Sequence, residues 1–175
     1  RRFYERYNEI KALPSVAPAT IMEVGCATGE LARYLLDKYP QTFYVGYDLS
    51  EAAIRRARAK HLWADFINGH FQEYRRTAQL VICRDVVHHQ PDPWQFLTDL
   101  YRSTERWLIL RLRMGAHTYR TSQVLYGQEV PYWVLSHDDL RQWATQHECG
   151  LHVLDAPESP PSYWLRAALW CARRA

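Results

Sequence analysis

The sequence predicts a three-layer α/β domain in which parallel strands form the middle layer. Apolar, β-branched segments of strand length alternate with amphipathic helical segments from residue 20 to residue 112, which favours parallel strands joined by right-handed crossovers. The first strand also runs directly into a short glycine loop and a helix, and open α/β sheets bind ligands at such carboxyl ends of strands. The 175 residues suffice for one domain with its own core, so we expect a single domain over 1–175.

Each element has a local signal. Residues 20–24 are apolar and β-branched, which is typical of a buried strand, and the leucines of 31–36 give the next helix an apolar face. Ser50 is a good N-cap for the second helix. Residues 113–135 break the alternation and are expected to form an irregular, lid-like insertion. The predicted strands are 20–24, 42–47, 64–68, 79–83, 106–112, 151–156 and 163–172, and the predicted helices are 1–13 (within a cap formed by 1–18), 31–36, 52–61, 94–104 and 136–147.

Composition narrows the functional class. Lys and Arg exceed Asp and Glu by only three, 22 against 19, which is too few to indicate a nucleic-acid partner. The four cysteines are widely spaced without a C-x-x-C pair, which favours free thiols in a reducing, cytoplasmic location. No segment has the length and apolar character of a membrane span. No metal site is predicted, because the adjacent His88 and His89 do not converge on one ion without further ligands.

Two motifs carry a resemblance to a known family. Residues 23–29, Glu-Val-Gly-Cys-Ala-Thr-Gly, resemble the first motif of the class I S-adenosylmethionine-dependent methyltransferases, and their Gly-x-x-x-Gly spacing differs from that of dinucleotide loops. Residues 84–93, Arg-Asp-Val-Val-His-His-Gln-Pro-Asp-Pro, resemble the fourth motif of that family. The resemblance implies a Rossmann-like methyltransferase fold with a mostly parallel seven-stranded sheet whose last strand is antiparallel. It also implies S-adenosylmethionine as the cofactor.

The resemblance further implies a set of cofactor contacts. Asp48 ends the second predicted strand, where it either accepts both ribose hydroxyls or is an ordinary turn aspartate. The family often has an adenine-binding aspartate after the third strand; His70 stands there in this chain, either bonding adenine or without a ligand. Alternatively, Phe71 packs on the adenine ring while backbone amides recognise the base. The implied cofactor-binding residues are Glu23, Gly25, Cys26, Ala27, Gly29, Asp48, Leu49, Gly69, His70, Phe71 and Arg84.

Direct displacement at a sulfonium methyl produces a neutral leaving group, so the site has mainly to align the reactants. A base is needed only if the nucleophile carries a proton, and the candidates are His88, His89 and Asp85. Neighbouring residues of an extended chain point opposite ways, so we expect at most one of the histidines to reach the pocket. The alternative is that the histidines bond backbone groups and shape the loop.

Residues after the fourth motif are candidates for binding the acceptor. Arg111 and Arg113 share one face of the fifth strand and either hold an anionic group of the acceptor or form salt bridges to Asp85 or Glu129. Tyr119 and Tyr132 lie within 113–135 and are candidates for the wall of the acceptor pocket.

The sequence therefore predicts methyl transfer to a small-molecule acceptor that can be anionic. The alternatives are a non-catalytic S-adenosylmethionine-binding or regulatory subunit, and a nicotinamide-dependent oxidoreductase, which the glycine spacing disfavours. A nucleic-acid methyltransferase is disfavoured because the Asn/Asp-Pro-Pro-Tyr signature is missing from the fourth-motif region. The sequence does not predict the oligomeric state.

Overall fold

The structure, a computed structural model, describes residues 13–125, 127–153 and 163–170. Residues 1–12 of the predicted helix 1–13, and with them most of the predicted cap 1–18, lie outside the described residues, as does Cys171. The strands are β1 (Thr20–Val24), β2 (Phe43–Asp48), β3 (Asp65–Asn68), β4 (Ala78–Arg84), β5 (Thr104–Gly115), β6 (Tyr119–Leu125), β7 (Gln128–Ser136), β8 (Gly150–Val153) and β9 (Tyr163–Trp170). The helices are α1 (Glu30–Lys38), α2 (Glu51–Lys60), α3 (Pro93–Arg102) and α4 (His137–Gln146), with 3-10 turns at Phe71–Tyr74 and Val87–His89.

The central sheet has the strand order β3-β2-β1-β4-β5-β9-β8 in the described part of the chain. The first five of these strands are parallel to one another. Strand β9 is antiparallel to both β5 and β8, so β8 runs in the same direction as the first five. The prediction of a mostly parallel seven-stranded sheet with an antiparallel last strand is therefore confirmed.

Helices cover both faces of this sheet. Side chains of α1 and α2, such as Leu35 and Ile54, pack in one apolar cluster with alternate residues of the strands. Side chains of α3 and α4, such as Leu97 and Trp143, pack in the other cluster with the intervening strand residues. Because successive side chains of a strand point to opposite faces, the two clusters form the two core layers that the predicted three-layer architecture requires.

The prediction that 113–135 is irregular is wrong. Strand β5 continues to Gly115, and β6 and β7 form an antiparallel hairpin that turns at Gly127. Strand β7 pairs in parallel with the end of β5, where Met114 is opposite Leu135. Strand β4 stops at Arg84, opposite Arg111, and β9 occupies the other edge of β5, so the hairpin continues the sheet beyond the end of β4. This position is the edge of the sheet at which the glycine loop lies.

Candidate functional site

The glycine loop is held tightly between β1 and α1. Gly25 and Gly29 have φ angles of 78° and 76°, a region that favours glycine. A Cβ at Gly25 would come within 2.2 Å of Val86 Cγ2, and one at Gly29 within 2.8 Å of Phe66 Cζ. The backbone N–H of Gly25 also donates to the Tyr47 carbonyl at 2.8 Å. Both glycines are therefore required by backbone conformation and by close packing.

The Asp48 carboxylate stands at the open side of this loop. It accepts hydrogen bonds from the backbone N–H groups of Ala27 and Ser50, both at 2.8 Å. Ala27 is exposed, and the neighbouring Leu49 side chain is 60% exposed. A carboxylate has about four acceptor positions, so Asp48 keeps capacity for hydroxyl groups of a ligand. An oriented carboxylate beside an accessible apolar side chain fits the ribose and the base of a nucleoside.

The loop after β3 lies next to Asp48. The Gly69 N–H and the Asn68 side-chain amide both donate to the Asp48 carbonyl, at 3.1 and 3.0 Å. His70 is exposed beside them. Phe71 is only 2% exposed, and its ring packs edge-on against Phe96. The Phe71 side chain is therefore a core residue, which corrects the expected packing on an adenine ring, and only its backbone is left for a cofactor contact.

A buried polar network lies beneath the glycine loop. The Glu23 carboxylate accepts a hydrogen bond from the Tyr44 hydroxyl at 2.6 Å and pairs with the Arg84 guanidinium at 3.3 Å. Burial raises the pKa of Glu23, an effect that the charge of Arg84 partly offsets, and burial also raises the pKa of Tyr44. The side chains of Glu23 and Arg84 thus contact each other. Their ion pair joins the end of β4 to β1 just before the glycine loop.

Sequence reasoning missed Tyr44, although the neighbouring glycine gave a signal. Gly46 lies opposite Glu23 in the sheet, and a Cβ there would be 2.9 Å from the Tyr44 hydroxyl and 2.8 Å from Cys26 Sγ. A glycine inside a strand often marks such a close approach. Cys26 is buried, and burial raises the pKa of its thiol, so it packs under the loop as a neutral group.

The loop after β4 contains an ion pair with β5. Asp85 has a φ angle of 60°, and its N–H donates to the Arg111 carbonyl at 3.1 Å. Its carboxylate pairs with the Arg111 guanidinium through Oδ2, whereas Oδ1 is buried and has no hydrogen bond within the described residues. Of the two interpretations of Arg111, the structure contains the salt bridge to Asp85.

The two histidines lie side by side, which corrects the expectation that they point opposite ways. They belong to a 3-10 turn rather than to extended chain, and their ring centroids are 4.1 Å apart. His88 is 4% exposed, and burial, with the charges of His89, Arg113 and Arg111, lowers its pKa to about 3. Its Nδ1 has no hydrogen-bond partner among the residues described. A histidine with this pKa is neutral at physiological pH and is a weak proton acceptor.

Strand β7 is hydrogen-bonded to the histidine turn and to the residue that follows it. His89 Nδ1 lies 3.2 Å from the Pro131 carbonyl, and because a carbonyl only accepts, Nδ1 is the donor. The Trp133 indole N–H donates to the Gln90 carbonyl at 3.1 Å. The hairpin is thus bonded to the fourth-motif loop on both sides of residue 132.

Tyr132 closes the cluster. Its ring lies 5.1 Å from that of His88 and 5.6 Å from that of His89, and the Arg113 guanidinium is 6.0 Å from its centroid. Tyr119 is 54% exposed at the start of β6, so the structure brings Tyr132 but not Tyr119 to the histidines. The described residues contain no cluster of three or more His, Cys, Asp or Glu suited to a metal ion. None of the described helices is long and apolar enough to cross a membrane.

Comparisons with known proteins agree with this arrangement. Residues 22–105 match a family model described as a methyltransferase domain. The chain is 22% identical over 163 residues to a trans-aconitate 2-methyltransferase of Rhodopseudomonas palustris, which covers 92% of this chain and 60% of that protein. It is 37% identical over 62 residues to a malonyl-[acyl-carrier protein] O-methyltransferase of Legionella pneumophila, covering 35% and 20%. The chain therefore spans less than two thirds of the length of either relative.

Solved structures share the fold at low sequence identity. An S-adenosylmethionine-dependent methyltransferase from Listeria monocytogenes superposes with a TM-score of 0.80 at 13% identity, covering 97% of this chain and 99% of that one. The magnesium protoporphyrin IX methyltransferase from Synechocystis, determined with bound S-adenosylhomocysteine (SAH), gives a TM-score of 0.72 at 15% identity and covers 97% and 82%.

Proposed function

We propose that this chain is a class I S-adenosylmethionine-dependent methyltransferase, which binds S-adenosylmethionine and transfers its methyl group to a small-molecule acceptor. The observation that carries the proposal is the Asp48 carboxylate, hydrogen-bonded to Ala27 of the glycine loop beside the exposed Leu49. When bound, the cofactor supplies an electrophilic methyl group on a sulfonium. The chain itself has to hold the nucleoside, position the acceptor and exclude water.

The residues for holding the cofactor fall into three groups. Asp48 binds the ribose, and Leu49 with the backbone of 69–71 and the exposed His70 surrounds the base. The backbone of 25–29 binds the methionine part. Glu23 and Cys26 support the loop from within the core, because both are buried, and the partly exposed Arg84 does so through its ion pair with Glu23. This division follows from which groups are accessible and which are buried.

The acceptor carries a negative charge in this proposal. Arg113 and Arg111 come from the end of β5, and both act electrostatically on the buried His88; because Arg111 is paired with Asp85, the proposal assigns the negative group of the acceptor to Arg113. The names of the two relatives refer to trans-aconitate and to a malonyl group, which supports an acidic acceptor. The free thiols of Cys26, Cys83 and Cys149 support a reducing compartment such as the cytoplasm.

Isothermal calorimetry with SAH and with NAD tests the proposal. We expect SAH to bind with a Kd on the order of micromolar, and NAD not to bind. Incubation with methyl-labelled S-adenosylmethionine and a protein-free metabolite extract then tests transfer. No binding of SAH would refute the proposal as a whole. Binding without transfer to any metabolite would favour the non-catalytic alternative.

A further inference from the structure

We propose that the nucleophile of the acceptor is a carboxylate oxygen, so that the product is a methyl ester and no protein group acts as a base. This inference rests on the proposed function and adds the class of acceptor atom to it. It follows from the charges and hydrogen bonds around the two histidines, at the place where an acceptor would meet the cofactor-binding edge of the sheet.

The surroundings of His88 disfavour proton uptake. The titratable and charged groups that act on it or contact it in the described structure are His89 from its own turn, Arg111 and Arg113 from β5, and Tyr132 from β7; Arg111 is itself paired with Asp85. An imidazolium at His88 would be 96% shielded from water and close to two guanidinium groups. Burial and like charges both oppose the cationic form of histidine.

The other two candidates for a base are held by contacts with β5 and β7. The Asp85 carboxylate is paired with the Arg111 guanidinium through Oδ2. His89 donates its Nδ1–H to the Pro131 carbonyl, which holds its ring beside that of His88 at a centroid distance of 4.1 Å. A nucleophile that is already negative at neutral pH needs neither group as a base.

The same groups suit a carboxylate. His88 Nδ1 is buried without a hydrogen bond in the part of the chain described, and in the Nδ1–H tautomer it donates to an anion while remaining neutral. The Arg113 guanidinium supplies charge-assisted hydrogen bonds, for which its planar fork is suited. A carboxylate has two oxygens, so one can accept these hydrogen bonds while the other remains a nucleophile.

The chemistry then balances without a proton transfer. A lone pair of the carboxylate oxygen forms the new O–CH₃ bond, the C–S bond of the sulfonium breaks, and its electron pair goes to sulfur. One negative and one positive charge become two neutral groups. An amine or alcohol acceptor would instead release a proton and would need one of these side chains to accept it.

The first test identifies the product. The protein is incubated with methyl-tritiated S-adenosylmethionine and a protein-free metabolite extract, and the labelled products are treated with alkali. Methyl esters release volatile labelled methanol, whereas methyl ethers and N-methyl compounds do not. We expect most of the label to be volatile, and turnover to vary less than about twofold between pH 6 and 9. Base-stable label, or a rate that rises about tenfold per pH unit, would overturn the inference.

The second test measures binding without turnover. Dicarboxylates from malonate to adipate, and trans-aconitate, are titrated into the protein while the NMR signals of the His88 ring are followed, with the neutral dimethyl esters as ligand controls. We expect saturable shifts with the acids only. Arg113→Met should weaken binding by about tenfold or more. The matched control Arg106→Met, an exposed arginine over Trp107 at the other end of β5, should leave binding unchanged.

The outcomes of the second test separate the inference from the function it rests on. Equal shifts with acids and esters, no shift with any acid, or equal effects of the two arginine variants would each overturn the carboxylate inference. Calorimetry with SAH on the same samples reports on the proposed function independently, because the nucleoside contacts assigned to Asp48 do not involve Arg113.

Discussion

Replacing Asp48 is the sharpest test of the cofactor site, because its carboxylate has two separable roles. It ties the glycine loop to β2 through the Ala27 N–H, and in the proposed site it also accepts the ribose hydroxyls. A hydrogen bond to a charged group is worth about 1.5–3 kcal/mol. Loss of the ribose contact in Asp48→Ala should therefore weaken SAH binding by about 10- to 150-fold.

The effect on folding should be much smaller. The bond between Ala27 and Asp48 lies at the surface, where water replaces a lost partner, so we expect a loss of less than about 1 kcal/mol in the free energy of unfolding. In Asp48→Asn the amide oxygen can still accept one backbone N–H but the charge is gone. That variant should keep the loop in place and lose about tenfold in affinity.

Calorimetry with SAH and urea unfolding of the same variants measure the two effects separately. Asp65→Asn is the matched control, since Asp65 is an exposed aspartate at the opposite end of the neighbouring β3. Wild-type affinity in Asp48→Ala would remove this carboxylate from the ligand site. A loss of affinity that tracked a loss of stability in both Asp48 variants would reduce its role to holding the loop.

Three further predictions concern the surrounding groups. Because the pKa of His88 falls from 6.5 to about 3 on folding, the unfolded chain takes up this proton first, so stability present above pH 6.5 is lost as the pH falls towards 3. Between pH 7 and 5.5, protonation of His88 in the unfolded chain should lower the free energy of unfolding by about 1 kcal/mol, and His88→Gln should abolish this loss in urea unfolding. An unchanged pH dependence in the variant would contradict this assignment. Gly25→Ala should abolish SAH binding in calorimetry. Adding Val86→Ala to that variant should restore stability only in part, because the clash with Val86 is relieved but the positive φ at residue 25 remains. Full recovery of SAH binding in the double variant would be the contrary result. Tyr44→Phe should cost about 1–3 kcal/mol in urea unfolding, since the buried Glu23 carboxylate loses a hydrogen bond, and a cost near zero would show that the network is not structurally important.

Local sequence signals predicted most of the fold, because they report on contacts within each element. The buried strand 20–24, the Ser50 cap and the glycine loop were all found where they were expected. The hairpin was missed because β6 is mostly exposed and β7 contains Pro131, which obscured the alternation that marks a half-buried strand. Its docking onto β5 depends on a pairing partner that local sequence does not identify.

Within the site, the sequence predicted which residues meet but not what they do to one another. The fourth-motif loop and the end of β5 are brought together as expected, since parallel strands end at one edge of the sheet. The Asp85–Arg111 pair was one of two interpretations of Arg111, and the choice between them depends on side-chain directions, whereas the adjacent rings of His88 and His89 depend on a 3-10 turn. These are set by tertiary packing.

The hairpin makes the acceptor side of the site depend on a difference in strand length. Strand β5 extends four residues beyond the position where it pairs with the last residue of β4, and this overhang is what β7 pairs with. The pairing sets Pro131 and Trp133 against the histidine turn. The tautomer of His89 and the packing of Tyr132 against the two histidines are therefore consequences of how far β5 continues past its neighbour. In the proposed site, the acceptor side thus depends on contacts that the glycine loop and Asp48 do not share.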